Sequence, residues 1–142
     1  MRCEEIMKRD VEYVDSAEPI QTAARRMRDA NVGFLPVCDS TRKVLGAITD
    51  RDIALRIVAE SRPPTTSVGD VMTREVIACR PDDEVTRAEQ LMGKHQKSRM
   101  ICTDQEGRLL GVISLSDIAQ VEEPSRASQT MKQVTEREAR PQ

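Results

Sequence analysis

The chain has 142 residues, 32% of them charged, with 22 basic side chains against 24 acidic ones, a single histidine and two aromatics, Tyr13 and Phe34. That length suits one compact unit with an aliphatic core, and no apolar run approaches the roughly 18 residues of a membrane span, nor does MRCEEIMKRD read as a secretory signal, so no membrane is expected and a cytoplasmic protein is. The balanced charge argues against a protein devoted to duplex nucleic acid, which usually shows a basic excess, and the scarcity of aromatics argues against stacking on single strands, so nucleic acid is a minor expectation; Arg25-Arg26-Met27-Arg28 reads as a solvated helix face.

In chain order, a short strand is expected over Val11 to Val14, then a turn at Pro19. An amphipathic helix follows, with Ile20, Ala23, Ala24 and Met27 at i, i+3, i+4 and i+7. The apolar runs Gly33 to Cys38 and Val44 to Ile48, joined through Asp39-Ser40-Thr41, read as a hairpin. A helix from Asp50 closes this set. Glu60 to Gly69 contains Pro63 and Pro64, which exclude helix there.

The same order then repeats. Shifted by 65 residues, the chain matches itself without a gap from residue 6 to 54, with 12 identities in 49 positions, among them Met7/Met72, Ala23/Ala88, Met27/Met92, Gly46/Gly111, Ile48/Ile113 and Asp52/Asp117. The chain is a duplication. Its second copy predicts a strand over Val76 to Cys79, a helix on Val85, Ala88 and Met92 whose end Gly93 weakens, strands over Arg99 to Cys102 and Leu109 to Ile113, and a helix from Leu115. The expected organisation is repeat 1 over 1–60, a linker over 61–69, repeat 2 over 70–121, and a polar tail over 122–142, either a helix docked through Met131 and Val134 or disordered.

Cys3, Cys38, Cys79 and Cys102 are scattered, none in C-x-x-C, and His95 has no partner at ligand spacing, so no metal site is expected. Cys38 and Cys102 read as small hydrophobes in strands, and Cys3 as exposed and oxidisable.

The sharpest local signal is Gly46-Ala47-Ile48-Thr49-Asp50-Arg51-Asp52, echoed by Gly111-Val112-Ile113-Ser114-Leu115-Ser116-Asp117. A hydroxyl three residues before an aspartate at a helix start is a capping signature. The same groups suit a nucleoside phosphate: the hydroxyl and free amides for phosphate, and an acceptor-only carboxylate for both hydroxyls of a ribose. Both readings stand.

With the Gly-x-x-Thr/Ser-x-x-Asp motif in both copies, Gly33-Phe34-Leu35-Pro36-Val37 followed by Asp39 in the first, and the duplication, the chain resembles a tandem cystathionine β-synthase (CBS) domain pair, a stand-alone Bateman module. The resemblance implies an α/β fold of two pseudo-twofold-related repeats, each strand-helix-strand-strand-helix with a small three-stranded sheet, and two clefts for adenosine-containing ligands such as AMP, ADP, ATP or S-adenosylmethionine. Carried over, one cleft takes Thr49 for phosphate, Asp52 for ribose, Arg51 nearby and Ala47 beneath, with Ile77, Lys97 and Ser98 at the base. The other takes Ser114, Ser116, Asp117 and Val112, with the base at Val32, Gly33 and Phe34 and the Glu12–Tyr13 segment close by; Arg99 matches a phosphate-reaching position. The family's proline is missing at Ile101, and Leu115 in place of Asp50 makes the Ser114 cleft the better one for anions.

No catalytic constellation can be assembled around one histidine. The expected function is a non-catalytic sensor with an adenine nucleotide as regulatory ligand and no required cofactor, acting as a homodimer on a regulated protein. The faces Ile20 to Met27 and Ile53 to Val58 are offered for dimerisation. The alternatives are a structural interaction module with empty clefts, a redox-responsive regulator acting through its cysteines, or a small nucleic-acid-binding module.

Overall fold

The structure, a computed structural model, describes residues 1–121 and 124–139. After a 3-10 turn at Cys3–Glu5, the elements are β1 (Val14–Asp15), α1 (Ile20–Ala30), β2 (Phe34–Cys38), β3 (Val44–Thr49), α2 (Asp50–Ile53, widening into a π-helical turn over Ala54–Val58) and α3 (Val68–Val71). They continue with β4 (Ala78–Cys79), α4 (Val85–His95), β5 (Arg99–Thr103), β6 (Leu109–Ser114), α5 (Leu115–Val121) and α6 (Pro124–Ala139). The strands form two three-stranded sheets, β1-β2-β3 and β4-β5-β6. The α/β class and the strand-helix-strand-strand-helix order of each copy are as the sequence leads one to expect. Among the described residues no helix is long and apolar enough to cross a membrane.

The chain divides into two compact units: Glu12–Val76 with Glu106–Leu109, and Met1–Val11 with Ile77–Gln105 and the residues from Leu110 onward. The first, built on repeat 1, has a core of Val14, Ile20, Ala23, Met27, Leu35, Val37, Ile48 and Ile57, closed by Val68, Val71 and Met72 from α3 and its end. The second, built on repeat 2, has Cys79, Val85, Ala88, Met92, Met100, Cys102, Ile113 and Ile118, closed by Cys3 and Met7. Each repeat's core is therefore completed by the segment that precedes the other repeat. Val68 and Gly69, expected outside any helix, are helical. The prolines at 63 and 64 stop one helix and leave room for another to begin at Val68. The segment is also fastened: Pro64 and Thr66 offer their carbonyls to the first free amides of α1, Ile20 N–H to Thr66 O at 2.8 Å and Gln21 N–H to Pro64 O at 3.0 Å.

Both first strands are shorter than expected, because Val11 to Tyr13 and Val76 to Ile77 lie outside the sheets. In the first unit β1 runs parallel to β2 with Val14 opposite Val37 and Asp15 opposite Cys38. Pro36 stands next in β2 and has no N–H to give. In the second unit Ile101 replaces that proline, and the parallel ladder takes it in, pairing Ala78 with Ile101 and Cys79 with Cys102.

The apolar stripe of α1 is core, with Ile20, Ala23 and Met27 all buried, so it is not a free dimerisation face. The π-helical turn keeps Leu55 and Val58 exposed while burying Ile57. Helices α1 and α4 end alike, on Asn31 and Gln96 in the left-handed region (φ 55° and 54°), with Val32 N–H reaching Met27 O and Lys97 N–H reaching Met92 O, both at 3.0 Å. The tail, as far as it is described, is a helix: α6 buries Val134 in the second core and leaves Met131 exposed. Gly93 does more than weaken α4. A Cβ there would run into the Gln133 side chain, so the glycine lets α6 lie close.

Cys38 is fully buried on β2, and burial pushes its thiol from the ordinary 9.0 up to about 11. The unfolded chain ionises this thiol near pH 9 while the folded chain keeps it protonated. Its stabilising contribution is thus complete below pH 9 and is lost as pH rises towards 11, at about 1.4 kcal/mol per pH unit. Urea midpoints at several pH values between 9 and 11 should fall more steeply for the wild type than for Cys38→Val; equal slopes would refute this account.

Candidate functional site

The two motif copies stand where a strand hands over to a helix. At the first, the Thr49 hydroxyl accepts from Asp52 N–H at 3.1 Å while Thr49 N–H donates to Asp52 Oδ2 at 3.0 Å. At the second, Ser114 Oγ accepts from Asp117 N–H at 3.1 Å and Ser114 N–H donates to Asp117 Oδ2 at 2.8 Å. Both are complete capping boxes. Each leaves one carboxylate oxygen outside the box: Asp52 Oδ1 lies 3.9 Å from Arg56 Nε, and Asp117 Oδ1 lies 3.6 Å from Lys8 Nζ. The carboxylates are only 15% and 13% exposed, whereas the Arg56 and Lys8 side chains are 47% and 73% exposed. A largely enclosed anion therefore faces a cation on a solvated stem. Ser116 stands exposed beside the second box, its hydroxyl 2.8 Å from that of Ser114.

The glycine of the motif has a packing reason. Ala47 exchanges both backbone hydrogen bonds with Thr73, each at 2.9 Å, and Val112 exchanges both with Lys8, each at 3.0 Å. A Cβ on Gly46 would fall on the Thr73 carbonyl, and one on Gly111 would fall on the Lys8 carbonyl. Glycine is what lets the crossing segment approach, and at Gly111 that segment carries Lys8 to Asp117.

In the first unit the structure brings Gly33 and Phe34 to Thr49, since Phe34 pairs with Thr49 in register and Asp50 N–H donates to Gly33 O at 3.0 Å. The space above Gly33 is occupied by the Asp50 carboxylate. Val32 is exposed at the head of this strand, Ala47 is half-buried, and Arg51 and Glu12 are exposed. Tyr13 lies outside the core: its ring carries the Arg42 guanidinium at 5.0 Å, and its carbonyl accepts from Arg26 Nη1 at 2.7 Å. In the second unit Leu115 N–H donates to Ser98 O at 3.0 Å, setting Ser98 beside the Ser114 motif. Lys97 and Ser98 are half-buried, Ile77 leans on the core, and Val112 is buried. Arg99 is exposed, its guanidinium turned onto the Ser98 carbonyl at 3.2 Å. Where Asp50 faces Gly33, the second unit has the partly buried, apolar Leu115.

Sequence reasoning missed Lys8 and Arg56. Arg56 is i+4 from Asp52, an acid–base spacing on a helix that marks it; Lys8 carries no such signal, being set by the backbone bridge to Val112. Cys3 was expected to be exposed and is fully buried in the second core.

A family model described as CBS domain matches residues 3–59 and 68–123. The CBS domain-containing protein YhcV of Bacillus subtilis (strain 168) is 39% identical over 113 residues, covering 80% of this chain and 79% of that protein. Among solved structures, Hypoxic Response Protein I with two coordinated zinc ions superposes with a TM-score of 0.79 at 27% identity, covering 87% of this chain and 100% of that one. A CBS domain pair in complex with 5′-methylthioadenosine and S-adenosyl-L-methionine superposes with a TM-score of 0.75 at 26% identity, covering 85% and 94%.

Proposed function

Since this chain belongs to the CBS domain family and carries two copies of the domain, we propose that it is a non-catalytic, cytoplasmic regulatory module whose two strand–helix junctions hold the ribose and phosphate of adenosine-containing ligands. CBS domain pairs are regulatory modules, and a neighbour at 26% identity takes 5′-methylthioadenosine and S-adenosyl-L-methionine. The observation that carries the reading is the spare oxygen of each enclosed aspartate. Asp117 Oδ1 and Asp52 Oδ1 remain outside their capping boxes, faced by Lys8 and Arg56 on solvated stems that can swing aside for a diol. Ser116 adds a hydroxyl that takes no part in the backbone cap. The Ser114 junction is the better anion site, because Leu115 stands where the first junction has Asp50.

One observation favours a second reading, a scaffold whose motifs only cap helices: both boxes are already complete. Titration calorimetry with AMP, ATP, 5′-methylthioadenosine and S-adenosylmethionine, with thermal melts alongside, separates the two. A ligand at 100 times its dissociation constant should add about 2.7 kcal/mol of stability. No heat and no rise in melting temperature with any of them would leave the scaffold standing. The regulated protein is a separate chain in this reading, and the exposed Leu55 and Val58 of the π-helical turn form the face that meets a second copy.

A further inference from the structure

Three of the four cysteines meet in one place. Cys3 in the N-terminal turn, Cys79 in β4 and Cys102 in β5 all lie in the second unit's core, each at most 1% exposed. Cys79 and Cys102 stand opposite one another in the parallel ladder, with their sulfurs 3.0 Å apart, and Cys3 packs in the same buried cluster, its thiol turned to the Glu84 carbonyl at 3.8 Å. The offset of 65 gives the comparison. At the corresponding positions the first unit has Val68, Val14 and Val37, all fully buried, with Val14 and Val37 likewise opposed. Packing at these positions is met by valine, so three converging thiols ask for a chemical reason. With the Cys79 and Cys102 sulfurs in contact, the chemistry these thiols are placed for is sulfur–sulfur exchange.

We propose that Cys3, Cys79 and Cys102 form a disulfide-exchange centre, in which a low-molecular-weight disulfide oxidises Cys79 and Cys102 to an inter-strand disulfide and Cys3 is the first thiol to react. Adjacent strands lie about 4.7–4.9 Å apart, inside the Cα span of roughly 4.4–6.8 Å that a disulfide bridges, so the sheet accepts the bond without opening. Cys3 sits on a three-residue turn tied to the Pro81–Val85 stretch by Cys3 N–H to Asp83 O at 2.8 Å, Glu4 N–H to Pro81 O at 2.9 Å and Val85 N–H to Met1 O at 2.8 Å, terminal contacts whose local opening uncovers it. Contact with Cys102 and burial in the core raise the Cys79 thiol above its ordinary value. Cys79 and Cys102 are locked in the sheet whereas Cys3 rides on the N-terminal turn, so Cys3 is the thiol that an incoming disulfide reaches first.

The exchange balances in three displacements. The Cys3 thiolate attacks RSSR, giving Cys3–S–SR and releasing RS⁻, which takes up a proton. Cys102 then attacks the Cys3 sulfur, losing its proton and releasing the second RSH. Cys79 attacks the Cys102 sulfur, forming the Cys79–Cys102 bond and returning the proton and the thiol to Cys3. Two protein thiols give up two electrons and two protons, and one RSSR becomes two RSH.

The test uses the full chain with oxidised glutathione as the probe, acid quenching, alkylation of remaining thiols and tryptic mapping without reduction. Trypsin places the four cysteines on four separate peptides. The wild type should yield the Cys79 peptide linked to the Cys102 peptide, with Cys38 alkylated. Cys3→Val should slow this linkage more than about tenfold, and Cys79→Val should accumulate a Cys3–Cys102 bond instead. Valine at each position is the residue the first unit already uses there, and circular dichroism verifies that each variant folds. Recovery of both Cys79 and Cys102 as alkylated peptides after prolonged oxidation, or an unchanged rate in folded Cys3→Val, overturns the proposal.

Discussion

Gly46→Val is expected to destabilise the protein by about 2–4 kcal/mol, read as a lower urea midpoint with an unchanged slope. The added side chain would start on the Thr73 carbonyl. That carbonyl cannot retreat cheaply, because it accepts from Ala47 N–H while Thr73 N–H donates to Ala47 O, both at 2.9 Å. The valine must break this exchange or push β3 away from Met72, which the first core buries one residue earlier. Ala47→Val is the matched control: the second copy already has valine at the equivalent Val112, so adding the same methyl groups one residue along should cost less than about 1 kcal/mol. If the two variants lose equal stability, the close crossing at Gly46 is not what the glycine serves.

The second large effect separates capping from binding. Asp117→Asn keeps an oxygen to accept from Ser114 N–H but removes the charge and one acceptor. Its stability loss should be modest, about 1–2 kcal/mol for a weakened cap and a lost, partly exposed ion pair with Lys8. Its ligand affinity should fall at least about 100-fold, since an amide NH2 replaces the spare acceptor oxygen outside the box and charged acceptors make the stronger bonds. Ser116→Ala sharpens the contrast, because among the described residues its hydroxyl is hydrogen-bonded only with that of Ser114. Removing it should leave the melting temperature within about 2 °C while weakening an adenine nucleotide about tenfold. Calorimetry and thermal melts on the same samples read both quantities. A variant that loses stability and binding in proportion would place these residues in the cap alone.

The repeat carried most of the architecture into the sequence. A constant offset needs no structural knowledge, and Gly-x-x-Thr/Ser-x-x-Asp marks both junctions because a capping box is local: its partners are three residues apart. What escaped was non-local. Lys8 reaches Asp117 only because its backbone is bridged to Val112, and nothing near Lys8 in the chain announces this. The three cysteines look scattered at positions 3, 79 and 102, yet strand register brings two together and the N-terminal turn delivers the third. The first strands are two residues long in both copies; Pro36 against Ile101 changes only which residue of the neighbouring strand is paired, since the ladder takes in Ile101. Val68 and Gly69 were misjudged because two prolines stop a helix behind them without forbidding one ahead.

The period of the duplication and the period of the folded units are out of step. Residues 3 to 7 complete the core of the second repeat, and residues 68 to 72, their counterparts 65 positions later, complete the core of the first. A lone copy of the repeat would have a leading segment with no core of its own to enter, and a core with an open seat. Two lone copies cure both defects by trading leading segments, which is domain swapping. Fusing the copies makes that trade intramolecular, so that assembly no longer depends on dilution. Duplication here supplies more than a second copy of the motif: it places in one chain the segment that each repeat's core needs to be complete.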